Sequence, residues 1–260
     1  MTASSPLPSG AAAPVALSDE TRARLMRCSS ASVSTQLVRR GLRNIAIAGV
    51  LPIRQGLPPM VGPAFTLRYI PAREDVDVYG RSNDPSTPQR RAIETVPAGH
   101  VLVMDCRREP EIAGIGSILT RRLQERGVAG VVLDGGVRDT RTVSGFEMPV
   151  YCLGPAAPPN FVGHHAVDCN QPIACGGVAV FPGDIIFGDH EAVIVIPAHL
   201  ADEVAADAVA MEQREVFLLK EIEAGRSIVG VYPPNADTMA RYEVWARENG
   251  IGAAVKDDEP

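Results

Sequence analysis

The chain has 260 residues, 45% of them hydrophobic and 22% charged, and a formal charge of −6 at pH 7. These values describe a globular protein long enough to bury a sizeable core. The acidic balance argues against nucleic acid as its main partner, and no apolar run approaches a membrane span.

Residues 1–16 are rich in Pro, Ser and Ala and lack a basic start followed by an apolar core, so they read as a disordered lead-in and not a signal peptide. The five cysteines show no C-x-x-C spacing, which points to reduced thiols in a cytoplasmic protein without a disulfide scaffold or zinc site. Only two of the 25 basic residues are lysines, Lys220 and Lys256. One falls in an amphipathic helix and the other in a polar tail, so neither suits a Schiff base. For carbonyl chemistry a metal is the better electron sink.

In chain order, Ser18 reads as an N-cap with Asp19 and Glu20 in the first turn, and a second helix starts near residues 29–32 and runs to Gly41. Residues 45–59 are broken by prolines. Residues 61–70 alternate as a strand, and residues 71–89 form a polar surface loop. A short helix over 90–96 precedes a buried strand over 99–105. Next come Ala113-Gly114-Ile115-Gly116-Ser117, read as a glycine-rich turn, and a helix over 118–126 ended by Gly127. A glycine-opened helix leaves unpaired N–H groups where an anion can sit.

Residues 128–133 return as a buried strand, completing a βαβ unit. Gly135 and Gly136 then read as a sharp turn, with Arg138 and Asp139 at its exit. Arg138 can fork onto a carboxylate and Asp139 can hold a hard divalent cation. The plain alternative is a tight turn finished by a surface ion pair. Ligand crevices lie beyond the carboxyl ends of parallel strands, so both turns of this unit are expected at one edge.

Downstream, residues 149–153 form a strand. His164 and His165 invite a metal, but neighbours on a strand face opposite ways and cannot easily share one ion. Cys175 reads as core more readily than as a nucleophile. Strands over 176–181, 183–189 and 193–196 lead to a long helix over 198–224. Residues 228–232 read as extended and residues 237–248 as a last helix, with a mobile tail from Gly252. No linker compels a split, which leaves one α/β domain over 17–226 and an extension over 227–260.

With these residues in view, the chain resembles the family of the regulator of RNase E activity A. That family also holds divalent-metal-dependent 4-hydroxy-4-methyl-2-oxoglutarate aldolases and oxaloacetate decarboxylases. The resemblance rests on Gly116-Ser117-Ile118-Leu119, Arg126-Gly127-Val128-Ala129-Gly130-Val131-Val132 and Asp134-Gly135-Gly136-Val137-Arg138-Asp139. Val180-Phe181-Pro182-Gly183-Asp184 and Val193-Ile194-Val195-Ile196-Pro197 extend it. It implies a compact α/β fold with a β-sandwich or barrel-like core flanked by helices, here with a C-terminal helical extension.

The resemblance further implies a homotrimer or dimer of trimers with sites between subunits. Asp139 would hold Mg²⁺ or Mn²⁺. Arg138 and the backbone of Gly116, Ser117, Ile118 and Leu119 would grip the carboxylate of a small α-keto acid. The product would be a pyruvate enolate, formed by retro-aldol cleavage or by decarboxylation. The family's aldolases carry acids where this chain has Ser117 and Thr142, and serine is a poor base near neutral pH. Glu212 or Glu215 from a neighbouring subunit would compensate in part. The competing expectation is a non-catalytic, protein-binding regulator. A methyltransferase is disfavoured, because no glycine-rich nucleotide fingerprint is present.

Overall fold

The computed structural model describes residues 17–80 and 84–251. The expected lead-in over 1–16, the tail from Gly252 and part of the 71–89 loop therefore lie outside the described residues. Among the described residues the main sheet has nine strands, in the order β1-β5-β4-β3-β2-β10-β11, with β6 added to β4 and β7 to β2. The ranges are β1 Leu51–Pro52, β2 Met60–Pro71, β3 Val101–Ile115, β4 Gly130–Val137, β5 Val150–Cys152, β6 Gly154–Pro155, β7 His164–Cys169, β10 Ile185–Gly188 and β11 Val193–Ile196. Strands β2, β3, β4 and β5 run parallel; β7, β10 and β11 join antiparallel. The sheet curls into a half-barrel flanked by helices, as expected.

The centre of this sheet is buried on both faces, which explains the unbroken apolar runs of β3 and β4. Leu102 and Met104 face a core shared with α3 (Pro88–Thr95) and α4 (Ser117–Glu125). Val101 and Val103 face the other way, toward a hairpin of β8 (Ile173–Cys175) and β9 (Val178–Val180). A third core packs α1 (Asp19–Leu25), α2 (Ser30–Arg39) and α6 (Ala201–Glu223) against β10 and β11. The first two helices begin as their sequence dictates: Ser18 accepts from the Thr21 N–H and Ser29 from the Ser32 N–H. Helix α5 (Thr140–Val143) is one turn long, and α7 (Ala236–Glu248) closes the described chain.

Three local expectations are corrected. Gly135 and Gly136 form no turn; they continue β4, fully buried. A Cβ on Gly135 would fall 2.6 Å from the Cβ of Cys106, and one on Gly136 would fall 2.4 Å from Ala156 and 2.6 Å from the Pro110 carbonyl. Close approach of chains, not backbone reversal, requires glycine there. Likewise Ala113, Gly114 and Ile115 are the end of the 15-residue strand β3, which outruns the expected 99–105. Residues 228–232 are turns and not extended, because the Val231 and Tyr232 N–H groups both return to the Ile228 carbonyl.

Candidate active site at the carboxyl edge of the central strands

Strands β3 and β4 are adjacent, parallel and joined through α4, so the α4 N-terminus and the end of β4 emerge at one edge. The Arg138 N–H donates to the Ile115 carbonyl at 3.0 Å, locking the two exits together. Asp139 follows with φ 57°, a left-handed conformation that aspartate tolerates better than most residues. Its carbonyl accepts from the Thr142 and Val143 N–H groups and starts α5. Its side chain turns the other way, toward α4.

There the Asp139 Oδ2 accepts from the Ser117 N–H at 3.2 Å and from the Ser117 hydroxyl at 2.9 Å. Asp139 thus caps a helix whose own N-cap residue, Gly116, has no side chain to do so. A Cβ on Gly116 would fall 3.2 Å from that oxygen, so glycine lets the carboxylate come close. The Ser117 hydroxyl and N–H, with help from Arg138, hold the Asp139 carboxyl below the ordinary aspartate range. It is ionised at neutral pH. Arg138 is exposed beside it.

The structure therefore brings Gly116, Ser117, Ile118, Leu119, Arg138 and Asp139 together. Ile118 is 82% exposed, leaving the first turn of α4 open to a ligand. The N–H groups of that turn have no acceptor within the helix. Ser117 is engaged as a donor to Asp139, which deepens its unsuitability as a base. Thr142 is exposed on α5.

Both Ser117 bonds reach the same Asp139 oxygen, and the other carboxylate oxygen of this exposed residue makes no hydrogen bond to the described residues. Among the described residues no three His, Cys, Asp or Glu side chains converge as metal ligands. One fixed carboxylate with one presented oxygen suits Mg²⁺, which retains several waters and takes few protein ligands.

Glu212 and Glu215 lie on α6, packed beside α1 and α2. Glu212 accepts the Ser29 N–H at 2.7 Å, and burial together with Glu212 raises the Glu215 carboxyl. Cys175 is fully buried with its thiol pushed well up by burial, which makes it core. His164 is buried and His165 half-buried.

Two polar arrangements escaped the sequence. Asp134 is 1% exposed and accepts the Cys106 N–H at 2.6 Å and the Gly176 N–H at 2.9 Å. It pins the bulge in β3 where Arg107 and Arg108 both take positive φ. Burial pushes its carboxyl up to about 6. The second arrangement surrounds the histidines: Arg107 donates to the His164 Nδ1 at 3.2 Å, and Asp77 pairs with His165 at 2.8 Å. A lone Asp inside the apolar run before Gly135 was the available signal for the first. For the second the adjacent histidines were visible, but nothing pointed to their partners Arg107 and Asp77.

A curled α/β half-barrel with an arginine–aspartate pair facing a glycine-opened helix defines the class. The RraA-like family model, Aldolase/RraA, matches residues 28–195, and the chain belongs to that family. It is 31% identical over 160 residues to a protein of Halalkalibacterium halodurans named putative 4-hydroxy-4-methyl-2-oxoglutarate aldolase, covering 60% of this chain and 68% of that one. It is 28% identical over 207 residues to protein DlpA of Legionella pneumophila; the match covers 79% of this chain but only 32% of DlpA. Among solved structures, Streptomyces coelicolor RraAS2, described as an unusual member of the RNase ES inhibitor RraA protein family, superposes with TM-score 0.69 at 29% identity, covering 78% of this chain and 96% of that one. An uncharacterised Pseudomonas syringae protein shares the fold, with TM-score 0.71 at 24% identity over 84% of this chain and 98% of its own. No described helix is long and apolar enough to cross a membrane.

Proposed function

We propose that this protein is a divalent-metal-dependent lyase that cleaves a C–C bond next to an α-keto acid and releases pyruvate. The observation that carries it is the meeting, at one edge, of Arg138, the open first turn of α4 and an ionised Asp139 with one presented oxygen. Arg138 and the N–H groups of Ile118 and Leu119 bind and orient the substrate carboxylate, the Ser117 N–H being held by Asp139. Asp139 would hold Mg²⁺ or Mn²⁺, and the ion supplies polarisation of the keto oxygen as enolate charge develops. Ser117 keeps Asp139 deprotonated and pointed. The aldolase names among relatives support this reading.

The site is proposed to be completed between subunits of a homotrimer or dimer of trimers. Glu212 already holds the Ser29 N–H, so Glu215 is the better neighbouring acid of the two. Light scattering on purified protein checks that assembly.

A second reading, a protein-binding regulator, is favoured by one observation: Ser117 donates to Asp139 where the aldolases resembled carry an acid. Pyruvate release from oxaloacetate separates the two. Metal-dependent turnover above the free-metal rate, abolished by chelator and by Asp139→Ala, supports the lyase. A wild-type rate equal to free metal removes the decarboxylase and leaves the regulator leading.

A further inference from the structure

Of the four buried polar atoms without a hydrogen bond among the described residues, three gather at one ring, that of His164. They are His164 Nε2, Arg107 Nε and the Tyr69 hydroxyl. The Tyr69 and His164 rings pack with centroids 5.1 Å apart, and Arg107 Nη2 meets His164 Nδ1 at 3.2 Å. Burial, then Arg107, pushes His164 down to about 4, so the ring is uncharged in the neutral range. A guanidinium only donates, so Nδ1 accepts and the proton sits on Nε2. The Ile112 carbonyl attracts that N–H without closing a bond of ordinary geometry. All three atoms can therefore donate, and folded proteins seldom leave buried donors unanswered. The cluster calls for an acceptor.

His164 lines a cleft of about 410 Å³, its open mouth included, and so do Thr87, Pro88 and Gln89. Those three are the N-cap and first turn of α3, and this helix end is bare. Thr87 turns its hydroxyl to the Asp84 carbonyl and makes no cap bond. Pro88 has no N–H, so Gln89 presents the first amide of the helix, which has no acceptor within it. A bare helix start favours negative charge. Gln89 and Asn160 also donate to the Gly114 carbonyl, at 2.7 and 3.4 Å, with the Tyr69 hydroxyl beside them. Asp77 is the one acid in the lining, and it is already engaged: His165 Nδ1 stands 2.8 Å from one oxygen and the Arg73 N–H 2.9 Å from the other.

We propose that this cleft is a second ligand site, separate from Arg138 and Asp139, that takes the carboxylate or phosphate of a small oxyanion on the His164 Nε2–H and the Gln89 N–H. Arg107, behind the ring, adds its charge. The cleft is too small for more than a compact guest. It shares no residue with the site at Arg138 and Asp139, and the assignment does not depend on the lyase reading. Two independent features ask for the same guest: buried donors in search of an acceptor, and an uncapped helix start in search of negative charge.

The test titrates full-length protein with inorganic phosphate and, separately, with acetate, while ¹⁵N-histidine spectra are recorded. Saturable movement of His164 Nε2 is expected with at least one probe, and the tighter of the two names the preferred head. Thr87→Asp gives α3 a good cap together with a fixed negative charge, so the helix keeps its fold while the anion is repelled. That variant is expected to weaken binding about 10-fold or more, and His164→Phe, which removes the donor and keeps a ring, to do the same. Arg138→Gln leaves binding within about 2-fold, as a change at a separate site should. Shifts that never saturate, or that saturate equally in Thr87→Asp, mean an adventitious ion only and overturn the assignment. Binding lost in Arg138→Gln also overturns it, because the anion then sits at the site already described. So does a wild type in which neither probe moves His164.

Discussion

Asp139 does two things with one carboxylate: one oxygen caps the start of α4 and the other has no hydrogen bond to the described residues. Ser117 is the partner of the first oxygen alone, and Ser117→Ala is expected to raise the Asp139 carboxyl toward the ordinary aspartate value. A carboxyl-carbon NMR titration checks this, and an unmoved midpoint contradicts it. Magnesium affinity, read by calorimetry, falls in the same variant as the carboxylate loses its fixed direction. Arg138 and Asp139 were legible because residue type alone states their chemistry. The contact of Asp77 with His165 was not, since the two stand 88 positions apart, one in the turn after β2 and the other on β7.

At the scale of elements, β4 explains why its motif admits so little. Gly136→Ala would put a methyl group 2.6 Å from a backbone carbonyl that cannot swing aside. Such overpacking costs about 3 kcal/mol, visible as a lower urea midpoint with an unchanged slope. Two buried groups oppose one another with pH. Burial raises Asp134 from 3.8 to about 6, so the folded state holds that proton more tightly, and the stability it confers below pH 4 is lost as pH rises to 6. Burial, then Arg107, lowers His164 from 6.5 to about 4, so its contribution is full above pH 6.5 and lost as pH falls to 4. Each effect is about 3 kcal/mol, and they nearly cancel over a shared window.

Either substitution uncovers the other. Compared with wild type, Asp134→Asn is expected to lose stability more steeply as pH falls from 6.5 to 4, and His164→Gln to gain it. Urea unfolding at several pH values gives the slopes; unchanged slopes refute the pairing. Sequence pattern located the long helices and the central strands, since helix caps and apolar runs are local, but not the short β1, β6, β8 and α5 or the strand β7. It misjudged Gly135 and Gly136 because a turn and a tight crossing both demand a missing Cβ, and only the neighbours Cys106 and Ala156 tell them apart.

For the whole molecule, the three cores around the sheet form one body, while a fourth cluster stands on its own. Phe217, Leu218, Val231, Tyr242 and Ala246 bring the end of α6 together with α7 and the turn before it. Trp245, the one tryptophan of the chain, packs there with Lys220 4.8 Å from its ring. So small a core is expected to open before the sheet does. Tryptophan fluorescence should therefore change at lower urea than far-UV circular dichroism, and coincident curves would contradict an independent unit. This extension, beyond the family match at residue 195, was visible in sequence as a helix, but its attachment to α6 was not. Aromatic contacts among Phe217, Tyr242 and Trp245 do not follow from periodicity.

The shared oxygen of Asp139 has a further consequence. Any cation drawing on the unbonded oxygen withdraws electron density from the one that Ser117 holds, and the Ser117 amide proton feels it directly. That single backbone proton is a resident indicator of occupancy, readable as a chemical shift without any turnover. Under the proposed lyase function it would report on a substrate analogue at the helix end and on an ion at the carboxylate through separate displacements. The order in which the two arrive can thus be followed on one resonance.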